Sequence, residues 1–439
     1  MYDTPLSKST PQYQEALNYI SRFQFHGFKL GLERMHSILN ALDNPHKQYP
    51  CIHIAGTNGK GSVCAFLEAI LKESGVKVGL YTSPHLYSLR ERFRINGNLI
   101  SEQELTGLIF EIKKFTDKGF ELSYFEYTTT IAMTWFARCG VDLAIFETGL
   151  GGTLDATNVV TPIISIITNI SLEHQAFLGN TIREIAGEKA GIIKPNSKVI
   201  TGAKDPEALN VIFDVSRRQG AKLFTLGKDF YYTPKDNNHM DFFFGKRQIN
   251  DLQVGLLGRH QMENASLSLA ASNILEEEQW TITEDSIRKG LKTPFWPGRG
   301  EIIRHDFTCL LDGAHNTAGI TALNRLLDEV LPEFRGRRKG LLWAMSDEGG
   351  DKDFKRLLNM IAHRFDWIVI TEPPGPRRPI SVESWKDIDL DISVKLDSDW
   401  NKALRHALTK LEKGDLLVVS GSLYLVGSVR TILRNEITS

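Results

Sequence analysis

Short runs that are apolar at almost every position alternate along the chain with longer stretches whose apolar residues recur at helical spacing. Cys51–Ala55, Val76–Tyr81, Val141–Phe146 and Ile163–Thr168 are the apolar runs, and each is only strand-sized. A strand with one wet face alternates, whereas a run apolar on both faces fits a parallel sheet covered on both sides. Between the runs, Val63–Glu73, Glu102–Phe115, Tyr124–Arg138 and Thr181–Ala190 predict helices. Thr181 and Glu184 stand at capping-box spacing. The pattern is that of βαβ units.

The alternation breaks at Pro294-Phe295-Trp296-Pro297-Gly298-Arg299-Gly300, where two prolines and two glycines predict a linker. It then restarts. Cys309–Leu311, Gly340–Ala344, Trp367–Thr371 and Leu416–Val419 predict strands; Thr317–Val330, Lys352–His363 and Asn401–Leu411 predict helices. The expectation is an α/β protein of two domains: a parallel-sheet domain over residues 1–296 and a smaller Rossmann-like α/β domain over 297–439. Phe230–Val254 is less regular and reads as antiparallel hairpins or insertions. The length of 439 residues agrees with two or three domains.

Composition narrows the partners more than the chemistry. Apolar residues at 41% and charged residues at 24% exclude a disordered chain. Lys and Arg number 52 against 53 Asp and Glu. That balance offers no basic footprint for nucleic acid and no polybasic signal for a membrane. No apolar run reaches spanning length, and the N-terminus lacks a secretory pattern. The four cysteines, Cys51, Cys64, Cys139 and Cys309, have neither zinc spacing nor a disulfide framework. The expectation is a cytoplasmic protein with free thiols, acting as a monomer on small molecules.

The densest chemistry lies in Gly56-Thr57-Asn58-Gly59-Lys60-Gly61-Ser62, directly after the first apolar run. Glycines let backbone N–H groups approach phosphate oxygens, and the following helix presents its positive end. Lys60 suits the terminal phosphates and Ser62 suits Mg²⁺. The spacing departs from GxxxxGK[ST], because Gly61 separates Lys60 from Ser62. A strand-to-helix corner that merely needs glycine is the plainer alternative.

This variant loop resembles the ATP loop of the Mur ligase superfamily, and within it the bifunctional folylpolyglutamate synthase/dihydrofolate synthase branch. Further segments occur in that family's order, from the N-terminal helices to Leu423. Tyr81-Thr82-Ser83-Pro84-His85 follows the second strand, and the resemblance makes Ser83 a Mg²⁺ ligand; alone, a serine before proline is a turn residue. Of Arg90 and Arg92, it favours Arg92 for the substrate, with surface ion pairs as the alternative. Glu147 ends the third strand before Thr148-Gly149-Leu150-Gly151-Gly152; packing gives an apolar strand no reason for a terminal carboxylate, whereas Mg²⁺ takes hard oxygen. The resemblance adds Leu154, Asp155 and Ala156 at a pterin site and Ser123, Tyr124, Phe125 and Glu126 beside it. Thr153 stands where many relatives carry a basic residue.

His174, past the fourth strand, is placed on the same rim as Ser83 and Glu147; the resemblance makes it a ligand of a second Mg²⁺, although a lone histidine is more often structural. It implies that Lys189, rather than Lys194, is carbamylated by CO₂ and ligates Mg²⁺; the plainer reading is a helical lysine in an ion pair. It puts Asn264 at the nucleotide, Arg299 near the phosphates, Asp312 on the ribose with His315 nearby as a catalytic group, and Ser422 near an incoming glutamate. Turn and cap roles compete for Asp312 and Asn316. Ala344–Asp353 departs from a shorter loop in relatives.

The implied activity is ATP- and Mg²⁺-dependent ligation of L-glutamate to dihydropteroate or folates through an acyl phosphate, with domain closure excluding water. Two rivals share parts of the pattern. One is a Mur-type ligase acting on a cell-wall precursor. The other is a P-loop GTPase switch; that class carries N-K-x-D, and the one Asn-Lys pair here, Asn401-Lys402, continues Ala403-Leu404.

Overall fold

The computed structural model describes residues 10–26, 31–236, 238–347 and 353–438. The chain divides into two compact units. The larger holds the chain up to Leu172, Leu178–Gly255 and Met262–Phe295; the smaller holds Glu173–Phe177, Leu256–Gln261 and Trp296–Ser439. Two short excursions thus leave the first unit for the second before the linker, which no break in the hydrophobic pattern announces.

The larger unit is built on an eight-stranded sheet of β1 (Cys51–Ala55), β2 (Val78–Tyr81), β3 (Phe93–Ile95), β4 (Asn98–Leu99), β5 (Leu143–Glu147), β6 (Ile164–Ile167), β7 (Lys198–Thr201) and β8 (Lys222–Thr225). Its order is β4-β3-β2-β5-β1-β6-β7-β8. All pairs are parallel except β2–β3 and β3–β4. Every residue of β1, β2, β5 and β6 is buried, as two-sided cover requires. One face packs Tyr81 and Phe146 against Ile109, Ile131 and Phe136; the other packs Ala55 and Ile167 against Ala186, Ala190 and Ile212.

This topology positions the site. The chain leaves β1 for β2 on one side, then crosses from β5 to β6 on the other. The carboxyl end of β1 is therefore where the connections diverge and leave a crevice. Side chains cap the helices around it. Ser101 with Glu104, Ser123 with Glu126 and Thr181 with Glu184 form capping boxes, the last as the spacing predicts. A cap of this kind contributes about 1 kcal/mol.

Phe230–Val254 forms a separate antiparallel sheet of β9 (Phe230–Pro234), β10 (His239–Phe244) and β11 (Arg247–Gln253). The smaller unit carries β12 (Glu301–Arg304), β13 (Thr308–Leu311), β14 (Lys339–Ala344), β15 (Trp367–Thr371), β16 (Ser393–Asp397) and β17 (Leu416–Ser420). Their order is β12-β13-β17-β14-β15-β16, with only β12 antiparallel. Thr317–Val330 and Phe354–Ala362 cover one face, Trp400–Thr409 and Leu423–Thr438 the other. The loop expected to depart from relatives is described only up to Asp347 and from Asp353; Glu348–Lys352 lie outside the described residues.

Candidate active site

Strand β1 delivers the chain into Gly56, at φ +142°, and then Gly59, at φ +85°. Neither tolerates a side chain. A Cβ on Gly56 would fall 1.9 Å from Thr168 Oγ1, and one on Gly59 would fall 2.3 Å from Asn264 Oδ1. The segment after β6 fixes the loop's shape. Thr57 N donates to Asn169 O (2.9 Å), Asn58 N to Asn169 Oδ1 (2.9 Å), and Thr168 Oγ1 to Asn58 O (2.7 Å). Thr57 Oγ1 also bonds the backbone of Ser171. Helix Lys60–Glu73 starts at the end of this loop and aims its positive end at it, with Ser62 buried in the first turn.

Two lysines meet at the loop. Lys60 Nζ donates to Gly56 O (2.8 Å) and Thr57 O (3.2 Å); Lys189 Nζ donates to the same Gly56 O (3.0 Å). Lys189 is buried on helix Ile182–Ala190. That helix approaches closely because Gly152 has no side chain; a Cβ there would sit 2.6 Å from Glu188 O. Lys194 goes elsewhere, to Asn158 O (2.9 Å), and burial holds its amine below the usual range.

Glu147 is the last residue of β5, level with Ile54 of β1, and is buried. Its Oε2 accepts from Ser83 N (3.1 Å), so the second and third strands bring Ser83 and Glu147 together. The Glu147 charge reaches the loop's helix: burial first, and Glu147 next, push the Cys64 thiol up. Ser62, Ser83 and Glu147 offer hard oxygens with one carboxylate, and of these Ser83 and Glu147 are in contact. Among the described residues no group of three or more His, Cys, Asp or Glu could hold a metal. A sparse oxygen set fits Mg²⁺, which keeps waters and binds phosphate oxygens with one or two carboxylates. His174 is described with the smaller unit: it belongs to Glu173–Phe177, and it has a left-handed φ of 44°.

A second corner lies past β2. Arg92, buried, donates from Nε to His85 Nδ1 (2.9 Å), and its guanidinium lies 5.5 Å from the centre of the Tyr124 ring. Because Nδ1 accepts, the neutral His85 ring carries its proton on Nε2. Burial and then Arg92 lower the His85 pKa to about 3. Phe125 lies against Gly149, where a Cβ would be 2.5 Å from the ring, and 6.0 Å from Tyr81. Leu154 is 41% exposed and Ala156 is buried.

Three residues expected on the substrate have their side chains committed to the fold. Ser123 Oγ and the Glu126 carboxylate close the capping box, and Glu126 also pairs with Arg34 at 2.9 Å. Asp155 is buried; Oδ2 accepts from Gly149 N (2.8 Å) and Leu150 N (2.9 Å), and Oδ1 from Thr157 N (3.0 Å) and Thr157 Oγ1 (2.5 Å). Four donors fill its acceptor positions, which makes it the brace of the glycine-rich loop. The S-x-x-E spacing at Ser123 was the available signal.

The smaller unit carries its own cluster. Asp312 Oδ2 accepts from Gly300 N (2.9 Å) and Oδ1 from Ala314 N (2.9 Å), so both oxygens hold backbone. Burial raises the Asp312 pKa, opposed by Arg299 and then His260. Arg299 lies close against Gly313, where a Cβ would be 2.3 Å from its Nη1. His315 Nδ1 donates to Gly313 O (2.7 Å), which sets the tautomer of the neutral ring. Ser422 is buried just before helix Leu423–Thr438. His53, His85 and His260 were not anticipated as members of these clusters.

The larger unit thus carries a phosphate loop and a Ser83–Glu147 pair on one parallel sheet, the chain also holds a second α/β unit, and this architecture is that of a Mur-type ligase. Residues 54–272 match the Mur ligase middle domain and residues 298–423 the Mur ligase, glutamate ligase domain. The chain is 34% identical over 442 residues to the dihydrofolate synthase/folylpolyglutamate synthase of Bacillus subtilis (strain 168), covering 96% of this chain and 99% of that protein. Among solved structures, it is similar to Escherichia coli FolC in complex with DHPP and ADP (TM-score 0.86, 29% identity, 98% of this chain and 100% of that one). It is also similar to the bifunctional folylpolyglutamate synthase/dihydrofolate synthase of Yersinia pestis complexed with AMPPNP and Mn ion (TM-score 0.84, 31% identity, 98% and 100%). The chain belongs to the folylpolyglutamate synthase/dihydrofolate synthase family. Among the described residues no helix is long and apolar enough to cross a membrane.

Proposed function

We propose that this chain is an ATP-dependent ligase that joins the amine of L-glutamate to a carboxylate of dihydropteroate or of a reduced folate. The observation that carries this reading is the loop of Gly56–Ser62 at the switch point of the sheet, with Lys60 and Lys189 on one carbonyl and Ser83 paired with Glu147 one strand away. The family's names, and the nucleotides held by the two related structures, support it.

A carboxylate acylates poorly because oxide is a bad leaving group. Attack of a carboxylate oxygen on the γ-phosphorus of ATP forms an O–P bond, breaks the bond to ADP and gives an acyl phosphate. The glutamate amine then adds to the acyl carbon, loses a proton and expels phosphate. The protein's part is to bring anions together and stabilise developing charge. Backbone N–H groups of Thr57–Ser62 and the Lys60 ammonium receive the phosphates, and Asn264 borders the nucleotide. Bound Mg²⁺, held by Ser62, Ser83 and Glu147, supplies charge neutralisation between triphosphate and carboxylate. Arg92 receives a substrate carboxylate, and Tyr124, Phe125, Leu154 and Ala156 flank the flat pterin. Arg299, Asp312 and His315 serve the nucleotide and Ser422 the glutamate. Lys189 carries a carbamate, which would turn two cations on one carbonyl into an opposite-charge pair.

The test is ADP release by purified protein with ATP, Mg²⁺, glutamate and either dihydropteroate or tetrahydrofolate. Release that requires every component is expected; release independent of glutamate or of the pteridine substrate would overturn the reading.

A further inference from the structure

A buried polar string runs under the site. His53 is fully buried in the middle of β1, level with Phe146 of β5 and three residues before Gly56. Its Nε2 lies 2.7 Å from Thr157 Oγ1, and that hydroxyl lies 2.5 Å from Asp155 Oδ1. The other Asp155 oxygen holds the amides of Gly149 and Leu150, two and three residues after Glu147.

The direction of each bond follows from the donor count. Asp155 receives three N–H groups, from Gly149, Leu150 and Thr157, so its remaining acceptor position takes the one hydroxyl proton of Thr157. Thr157 therefore turns a lone pair toward His53, and His53 donates from Nε2. The other ring nitrogen, Nδ1, is buried with no hydrogen-bond partner. An ordinary core position filled by an apolar side chain would carry no such cost. Burial first, and Lys194 second, lower the His53 pKa to about 3, so the ring is neutral and keeps this tautomer.

We infer that His53 is a positioning residue: acting through Thr157, it aims the Asp155 carboxylate that holds the Gly149–Leu150 turn. The turn lies under Phe125 and directly follows Glu147, so its placement governs the pteridine side of the site more than the nucleotide side. The donor at Nε2 carries the function, and the ring's bulk does not. Glutamine offers an amide donor at similar reach; methionine fills similar volume with none.

The experiment compares His53→Gln with His53→Met. Hydrogen exchange at the Gly149 and Leu150 amides is expected to quicken about tenfold in His53→Met and to return toward wild type in His53→Gln. The KM for the pteridine substrate is expected to follow, rising about tenfold in His53→Met while the KM for ATP stays within about twofold. Equal effects of the two variants, or unchanged loop exchange in His53→Met, would overturn the inference. If His53→Met does not fold, Thr157→Val against Thr157→Ser poses the same question with the same expected split, and equal behaviour of that pair overturns it. The kinetic arm rests on the ligase reading; the exchange arm does not. Wild-type protein without glutamate-dependent ADP release would sink that reading, and loop exchange would still decide the role of His53.

Discussion

Lys60 and Lys189 donate to the same carbonyl oxygen, that of Gly56, although one opens the helix of the phosphate loop and the other lies in the last turn of helix Ile182–Ala190. The two amines are not equivalent. Lys60 also reaches Thr57 O within its own loop, whereas Lys189 arrives from outside it and is buried.

That difference predicts different responses to deletion. Lys60→Ala removes a donor to the transferred phosphoryl group and should lower kcat by about a hundredfold to a thousandfold, with no rescue by added small molecules. Lys189→Ala should lose activity to a similar degree but recover part of it in millimolar acetate or another short carboxylic acid, which replaces the carbamate's oxygens. Initial rates with and without acetate measure both. An active Lys189→Ala enzyme, or equal rescue of the two variants, would remove the carbamate from the proposal.

Gly59 and Asn264 make a second testable pair. Gly59→Ala meets two penalties: a φ of +85° and a clash with Asn264 Oδ1. The backbone term is about 1–2 kcal/mol. Gly59→Ala should therefore weaken nucleotide binding by tenfold or more, by roughly the same free-energy scale. Asn264→Ala clears the steric part, so the double variant should bind ATP better than Gly59→Ala alone. Calorimetric titration with a non-hydrolysable ATP analogue reads this directly. A double variant that binds worse than either single one would show that Asn264's own contact to nucleotide outweighs the clash.

These residues also show what a sequence can disclose. The apolar runs were read correctly because burial on both faces leaves no alternation to mistake. Glu147 stood out because nothing in packing asks for a carboxylate at the end of such a run. For Glu126 and Asp155 a substrate role is implied by the family resemblance alone, and the structure commits both side chains to the fold. Ser123 and Glu126 have the spacing that identified the cap at Thr181, so their commitment was available locally. Asp155 was not, because its partners Gly149, Leu150 and Thr157 are assembled by a loop closing on itself. The hairpin of β3 and β4 turns on Asn96-Gly97, both at positive φ, and that dipeptide is a strong short-range signal in the sequence. His53 had no signal at all: a histidine in a buried strand acquires meaning only when Thr157 is seen beside it. The excursion that takes His174 out of the larger unit is likewise a tertiary fact.

The buried pair of Glu68 and Arg94 ties the helix of the phosphate loop to β3. Arg94 Nη2 lies 3.1 Å from Glu68 Oε2, and Glu68 Oε1 also accepts from Gly97 N at 2.9 Å. Both side chains are buried. Removing one partner leaves a buried charge, so Arg94→Met should cost about 3–5 kcal/mol in urea unfolding. Replacing both, in Glu68→Leu/Arg94→Met, should cost clearly less, since the desolvation penalty disappears with the second charge. If the double variant loses as much as the two single variants summed, the ions are not coupled.

The pH dependence of stability can be derived from His85. Its ordinary pKa of 6.5 falls to about 3 in the folded protein, first because the half-buried ring is desolvated and then because Arg92 stands beside it. Between those values the unfolded chain binds a proton that the folded chain refuses. Stability therefore rises with pH across this window, and falls as pH drops from about 6.5 toward 3, by up to about 1.4 kcal/mol per pH unit for this residue. His53 adds a slope of the same sign. Asp312, whose pKa is raised by burial, acts oppositely just above the usual carboxylate range, so the whole-protein curve mixes signs. A difference measurement isolates one residue. Glutamine at position 85 can accept from Arg92 without titrating, so the stability lost in His85→Gln at pH 7 should shrink steadily as pH is lowered to 5 in urea titrations. A loss that stays constant between pH 7 and pH 5 would mean that His85 takes up its proton in the folded state as readily as in the unfolded one.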